Sequence, residues 1–314
     1  MNCLVADFGG TRIKIGLMQN GRLLAHDILA TIDEEPMDCT MEKVGDGLEG
    51  LCHAHGITPQ ACNGFAAGFP ALVDNSTNRI LDHYGKFPGA PQFDFDGWSA
   101  RRWGLPVALD NDARLALLGE WQHGAGRGSN HQAIVTLGTG VGSAVLLDGI
   151  LFRGPDCRGG NLCGHWIVKP NGHPCACGNR GCVEAETGSG SLHQRARERL
   201  ALTNRTAELP DSLDYSLLLE LAGQQVDWAV AMRDEAILYW SILCGNMINA
   251  FDLNLVVLGG GVMHALDALM PSLSEQVNRF VIGHDQSVRI KSAEHPDTMA
   301  LLGGEWLIKE KTSA

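Results

Sequence analysis

The sequence predicts an α/β protein of two similar domains, and two observations carry that expectation. A short apolar strand, a glycine turn, a second strand and an x-Gly hairpin occur near residue 7 and again near residue 137, the mark of an internal duplication. The chain, at 314 residues, is also long enough to bury two cores. The boundary is expected near Asp110, with an N-terminal α/β domain over 1–110 and a C-terminal one over 111–297. The last helix, within 298–314, is expected to pack back on the first domain.

Taken in order, Cys3–Phe8 is an apolar run closed by Gly9-Gly10, and Arg12–Met18 alternates polar and apolar residues before the hairpin signal Asn20-Gly21. Met41, Val44, Leu48 and Leu51 recur at helical spacing, so Cys39–His55 reads as an amphipathic helix. Strands follow at Asn63–Gly68 and Pro106–Leu109. The second strand delivers Asp110-Asn111-Asp112 to a helix over Ala113–Trp121, where Asn or Asp is good N-cap chemistry. The opening pattern then returns: strand Gln132–Leu137, turn Gly138-Thr139-Gly140-Val141-Gly142, strand Ser143–Leu147 and hairpin turn Asp148-Gly149. Ser191–Leu200, Ser216–Ala222 and Asp234–Asn249 read as helices. Leu253–Leu258 is a buried-type strand running into Gly259-Gly260-Gly261. A last strand, Ser287–Ile290, and a helix over Thr298–Lys309 complete the chain.

Bulk properties narrow the partners. A net charge of −12 argues against nucleic acid or an anionic membrane. No apolar run approaches the ~20 residues needed to cross a bilayer. The opening MNCLVADFGG reads as a strand and lacks the basic region and cleavage site of an export signal. Ten cysteines without such a signal suggest free thiols and a metal site in a reducing compartment, hence a cytoplasmic protein.

Three glycine turns follow strands, at Gly9-Gly10-Thr11, Gly138-Thr139-Gly140-Val141-Gly142 and Gly259-Gly260-Gly261. Glycine lets backbone N–H groups approach phosphate oxygens, so together these turns point to a nucleotide. Asp7, at the tip of the first strand, could hold Mg²⁺ through water. Asp112, where a strand meets a helix, is the candidate general base, kept ionised by the N-terminal helix dipole. In Gly160–Glu184, His165, Cys175, Cys177 and Cys182 supply one imidazole and three thiolates, the usual set for structural Zn²⁺. Cys163 and His173 lie close enough in sequence to be rival ligands. Glu184, two residues beyond Cys182, would be held by the metal loop and could clamp a sugar hydroxyl together with His165.

Asp7-Phe-Gly-Gly-Thr11, Gly68-Phe-Pro70, Asn111-Asp112-Ala113, Gly138-Thr-Gly-Val-Gly142, Gly164-His165, Cys175-x-Cys177-Gly-x-x-Gly181-Cys182-x-Glu184 and Leu258-Gly-Gly-Gly261 together resemble the ROK family. The resemblance implies an α/β, two-domain, actin-like ATPase (ribonuclease H-like) fold with a structural zinc loop. It implies ATP-dependent phosphorylation of a sugar hydroxyl, usually the 6-hydroxyl of a hexose, by a protein that is often a homodimer. It further implies Asp112 as base and Asn111, His165 and Glu184 as sugar ligands, with Pro70 and Lys86 in the sugar pocket. Zn²⁺ would sit on His165, Cys175, Cys177 and Cys182. Gly9, Gly10, Thr11, Gly138, Thr139 and Gly140 would hold phosphates, and Gly260-Gly261 would lie near the adenosine. The family's Glu-x-Gly-His reads Leu162-Cys163-Gly164-His165 here, its Pro-Gly reads Pro70-Ala71, and its Asn-Leu-Pro reads Lys86-Phe87-Pro88. A lost carboxylate alters hydroxyl recognition, so a sugar other than plain glucose is expected, one with an anionic group facing Lys86. The same family includes sugar-sensing repressors. An acidic chain whose Asp7 leaves no room for a preceding DNA-binding helix favours the kinase.

Overall fold

The structure, a computed structural model, describes the chain apart from residues 11, 32–34, 83–86, 264–266, 284–287 and 314. Thr11 and Lys86 therefore lie outside the described residues.

The chain forms two compact units, one of residues 1–128, 151–161 and 298–314, the other of 129–150 and 162–297. The crossing falls at Ser129 and not near Asp110, which corrects the expected boundary. The helix after Asp110 is buried along most of its length, and it packs on the terminal helix of the first unit. A helix buried along most of its length, Arg114 and Glu120 included, belongs with the core that covers it.

In the first unit, β1 (Asn2–Phe8), β2 (Arg12–Gln19), β3 (Arg22–Ala30), β4 (Phe65–Phe69) and β7 (Val107–Asn111) form a sheet in the order β3-β2-β1-β4-β7. The β1–β2–β3 meander is antiparallel, whereas β1, β4 and β7 run parallel. The Asn20-Gly21 turn takes positive φ at both residues (50° and 78°), as a type I′ hairpin requires. A two-stranded hairpin, β5 (Leu72–Asp74) with β6 (Arg79–Asp82), follows β4. Helices α1 (Met37–Ala54), α2 (Phe95–Arg102) and α3 (Asp112–His123) belong to this unit. Its core holds stacked Phe8 and Phe69, ring centroids 4.1 Å apart, and an aromatic group of Phe65, Trp98 and Trp103.

The second unit repeats this plan. Strands β8 (Gln132–Leu137), β9 (Val141–Leu147), β10 (Ile150–Leu151), β11 (Leu255–Gly259) and β12 (Arg289–Ser292) lie in the order β10-β9-β8-β11-β12. The β8–β9 pair is antiparallel, and β8, β11 and β12 are parallel. The same hydrogen-bonding plan in both sheets is what the duplicated strand–turn–strand pattern led us to expect. Helices α4 (Val183–Thr187), α5 (Leu192–Ala201), α6 (Tyr215–Gly223), α7 (Asp227–Phe251) and α8 (Met270–Phe280) belong here, and α9 (Met299–Ser313) returns to the first unit. Among the described residues no helix is long and apolar enough to cross a membrane.

Several boundaries differ from expectation: α7 begins at Asp227 and not at Asp234, and β4 and β11 begin at Phe65 and Leu255, each two residues later than expected. Val141 and Gly142 belong to β9 and not to the glycine turn, because Val141 pairs with Leu137 in the antiparallel ladder. The last strand starts at Arg289, two residues after the expected Ser287, which lies outside the described residues.

Candidate active-site and metal-site residues

In the first unit the chemistry gathers at the carboxyl ends of parallel strands, where α/β sheets bind ligands. Register aligns Lys14, Asp7, Gly68 and Asp110 across β2, β1, β4 and β7. Burial pushes the Asp7 carboxyl above its ordinary range, with Lys14 pulling the other way. A partly buried carboxylate of this kind suits a site that receives a cation. Beyond β1, the Gly9 N–H donates to Arg12 O at 2.9 Å. A side chain at Gly9 would place Cβ 2.8 Å from that oxygen, so only glycine closes this turn. Gly10 is exposed beside it.

Asn111 caps α3 through its side-chain oxygen, which accepts from Ala113 N at 3.0 Å. Its Nδ2 donates to Phe69 O and Ala71 O, the carbonyls on either side of Pro70, at 3.3 and 3.2 Å. Both amide N–H bonds thus hold the Pro70 turn, so toward a sugar Asn111 can offer only its capping oxygen. Asp112 is the first residue of α3, half-exposed, with Oδ1 accepting from Ala113 N at 2.8 Å. A Cβ on Gly68 would stand 3.2 Å from Asp112 Cα, so Gly68 lets β4 and the start of α3 approach this closely.

In the second unit, the turn after β8 is organised by Glu184. Its Oε2 accepts from Val141 N at 2.9 Å, and a Cβ on Gly140 would meet that oxygen at 2.3 Å. The turn is also held by Ser189 N donating to Gly138 O (2.9 Å) and Gly190 N donating to Thr139 O (3.1 Å). Among the described residues the amides of Thr139 and Gly140 make no hydrogen bond, the state expected of donors kept for a ligand. Gly260, at φ +94°, would put a Cβ 2.4 Å from Leu137 O, so it wraps onto the same turn, while Gly261 faces open space.

His165, Cys175, Cys177 and Cys182 converge, all four ligand atoms lying within 4.8 Å of one another. Cys175 Sγ is 3.5 Å from His165 Nδ1, and Cys177 Sγ is 3.6 Å from Cys182 Sγ. Tetrahedral Zn²⁺ needs about 3.6 Å between thiolate and imidazole nitrogen and about 3.8 Å between two thiolates, so the donor set fits the ion. Gly178 and Gly181 take positive φ (90° and 71°) to fold the loop back. Burial pushes the Cys175 thiol up to about 11 and raises Cys182 as well. At Cys177 burial also raises, but the Asn179 amide and the neighbouring thiols outweigh it and lower the thiol. Thiols this crowded, with Cys182 buried and Cys175 and Cys177 partly so, favour a cation among them. Cys163 and His173 are not in the cluster. The Cys163 amide donates to Ser143 Oγ, and the His173 ring faces Glu186 and Glu198 at 2.9 and 3.2 Å. Glu184 Oε1 lies 3.8 Å from Cys175 Sγ and 3.9 Å from His165 Nδ1, so this one carboxylate joins the glycine turn to the Cys/His cluster.

The ROK family model matches residues 3–311. The chain belongs to the ROK family. Over 97% of its length it is 28% identical to a glucokinase of Thermotoga maritima, covering 96% of that protein. Over 99% it is 24% identical to an N-acetylmannosamine kinase of Haemophilus influenzae, covering 96% of it. Its fold is similar to that of a ROK hexokinase from Thermus thermophilus, with a TM-score of 0.83, 28% identity, and 100% and 99% of the two chains covered.

Sequence reasoning missed the bond from Val141 to Glu184, the double use of Asn111, and an ionic set in which buried Asp110 and Arg114 meet the partly exposed Arg153 and Glu310. One signal was readable in this ROK protein: Arg114 is a lone cation in the apolar run Ala113–Trp121, four residues after Asp110.

Proposed function

We propose that this protein is an ATP-dependent sugar kinase, transferring the γ-phosphoryl group to a hydroxyl of a hexose or hexose derivative, the 6-hydroxyl by family resemblance. The observation that carries the reading is Asp112, a half-exposed carboxylate at the first residue of α3, oriented by the Ala113 amide and backed by Gly68. Held ionised by the helix dipole, it takes the hydroxyl proton as the sugar oxygen attacks the γ-phosphorus and the bond to the leaving ADP breaks. The unbonded amides of Thr139 and Gly140, with Gly9, Gly10, Thr11 and Gly138, receive the phosphates, and Gly260-Gly261 receives the adenosine. Mg²⁺ bound with the nucleotide supplies charge neutralisation, and Asp7 is the residue that would hold it.

His165 turns Nδ1 toward the cysteines, which supports a role for its ring beside a sugar hydroxyl; Zn²⁺ on His165, Cys175, Cys177 and Cys182 would hold that ring and Glu184 in place. With Asn111, Pro70 and Lys86 these complete the proposed sugar pocket. Leu162, where the family carries a carboxylate, supports a substrate other than plain glucose. The test is ADP release with Mg-ATP against glucose, N-acetylmannosamine and further neutral, amino and acidic sugars. Turnover is expected with one sugar and a loss of about 10³-fold in Asp112→Ala. Silence across the panel from folded, zinc-loaded protein, with sugar binding retained, would overturn the kinase in favour of a sensor.

A further inference from the structure

Asp110 and Arg114 stand two residues to either side of Asp112, and both are wholly buried, at 0% exposure. Asp110 Oδ1 accepts from Arg114 Nη1 at 3.0 Å and from the Asn111 amide at 2.8 Å, while Oδ2 accepts from Arg153 Nε at 2.8 Å. Arg153 gives its two terminal nitrogens to Glu310 on α9, at 2.9 and 2.6 Å. Arg114 Nη2 donates to Cys157 O and Gly159 O, each at 2.9 Å. Next to Glu310, Lys311 Nζ donates to Asn75 O and Ser76 O, both at 2.8 Å. Two carboxylates and two guanidiniums thus form a neutral set, wholly within the first unit.

Buried ion pairs are a poor route to stability, because desolvation cancels much of the attraction and apolar packing often does as well. Their distinct property is direction: a guanidinium is a planar fork that fixes the angle of whatever it binds. Here the forks fix the chain immediately before and after Asp112. They tie it to two distant segments, residues 151–161 and the terminal helix. We propose that Arg114, Arg153 and Glu310, acting through Asp110, are positioning residues that hold the Asp112 carboxylate in line for proton abstraction. This rests on the reading of Asp112 as the base.

The test uses the full-length protein with Mg-ATP and the best sugar of the panel, in Arg153→Lys, Glu310→Gln and Asp112→Ala. Arg153→Lys keeps the charge but loses the fork, and Glu310→Gln keeps an acceptor but loses the charge. Each is expected to lower kcat about 10- to 30-fold with both KM values within about twofold, in protein that remains folded at the assay temperature. Hydrogen exchange read by mass spectrometry is expected to quicken about tenfold over residues 108–116 and to stay unchanged in α1. Unchanged kcat, or losses that only track an unfolded fraction, would overturn the proposal. Unchanged exchange over 108–116 would overturn it too, whether or not a sugar is turned over. Activity surviving in Asp112→Ala would instead overturn the base itself, so the two failures are distinguishable.

Discussion

Helices α3 and α9 cross with backbone against backbone at Gly119 and Gly303. A Cβ built on Gly303 would stand 2.0 Å from Leu115 O, and one on Gly119 would stand 1.9 Å from Met299 O. Contacts of that kind are not tolerated much below about 3 Å, so Gly303→Ala must open the crossing by about 1 Å. Trp121 and Trp306, packed edge to face at 4.9 Å, would have to part as well. Overpacking of this size costs about 1–3 kcal/mol. The same movement is transmitted along α3, whose first residue is Asp112, and a 1 Å displacement of a catalytic group can lower a rate about 10²-fold. Urea melts and steady-state kinetics of Gly303→Ala should therefore show both losses. Gly50→Ala is the control, since Gly50 lies inside α1 with nothing within 4 Å of its would-be Cβ. It should gain up to about 1 kcal/mol and leave kcat unchanged. A Gly303→Ala protein that melts like the wild type and turns over within twofold of it would refute both the tight crossing and its link to the base.

Two further outcomes follow from the site. Burial raises the Asp7 carboxyl in the folded protein, so the fold favours its protonated form. Stability is therefore lost as pH rises from the ordinary carboxylate range through the folded pKa. Asp7→Asn should melt above the wild type at pH 7, lose that advantage below the ordinary range, and raise the KM for Mg-ATP. A lower melting temperature than wild type at pH 7 would contradict this. For the Cys/His cluster, metal analysis should find about one zinc per chain in the wild type and in Cys163→Ser, and none in Cys182→Ser. Removing the ion should weaken turnover about 10- to 100-fold, because His165 and Glu184 lose their support. Zinc retained by Cys182→Ser would rule the assignment out.

The features legible in the sequence were those set by local chemistry. Asn20-Gly21 announces a hairpin because those residues accept positive φ. Asn111 announces a helix start because a short side-chain acceptor satisfies an amide there, and both hold in the structure. The glycine turns and the run of three cysteines were readable for the same reason: their spacing alone limits what the backbone can do. The duplication was readable because the same periodicity writes the same sheet order twice. What the sequence by itself determined, then, was the plan of strands and turns, the ROK motifs, and which residues could carry chemistry.

Only the tertiary structure decided how those residues are held. Nothing near Glu184 says that it bonds an amide 43 positions away. Nothing near Asp110 says that its partners stand at 114 and 153, with 310 beyond them. Nor does Asp110 mark the end of a domain, because α3 is buried along most of its length and is covered by a helix nearly 180 residues further on. Local signals record what one stretch of backbone can adopt, whereas burial and charge pairing are settled between stretches that meet only when the sheets form.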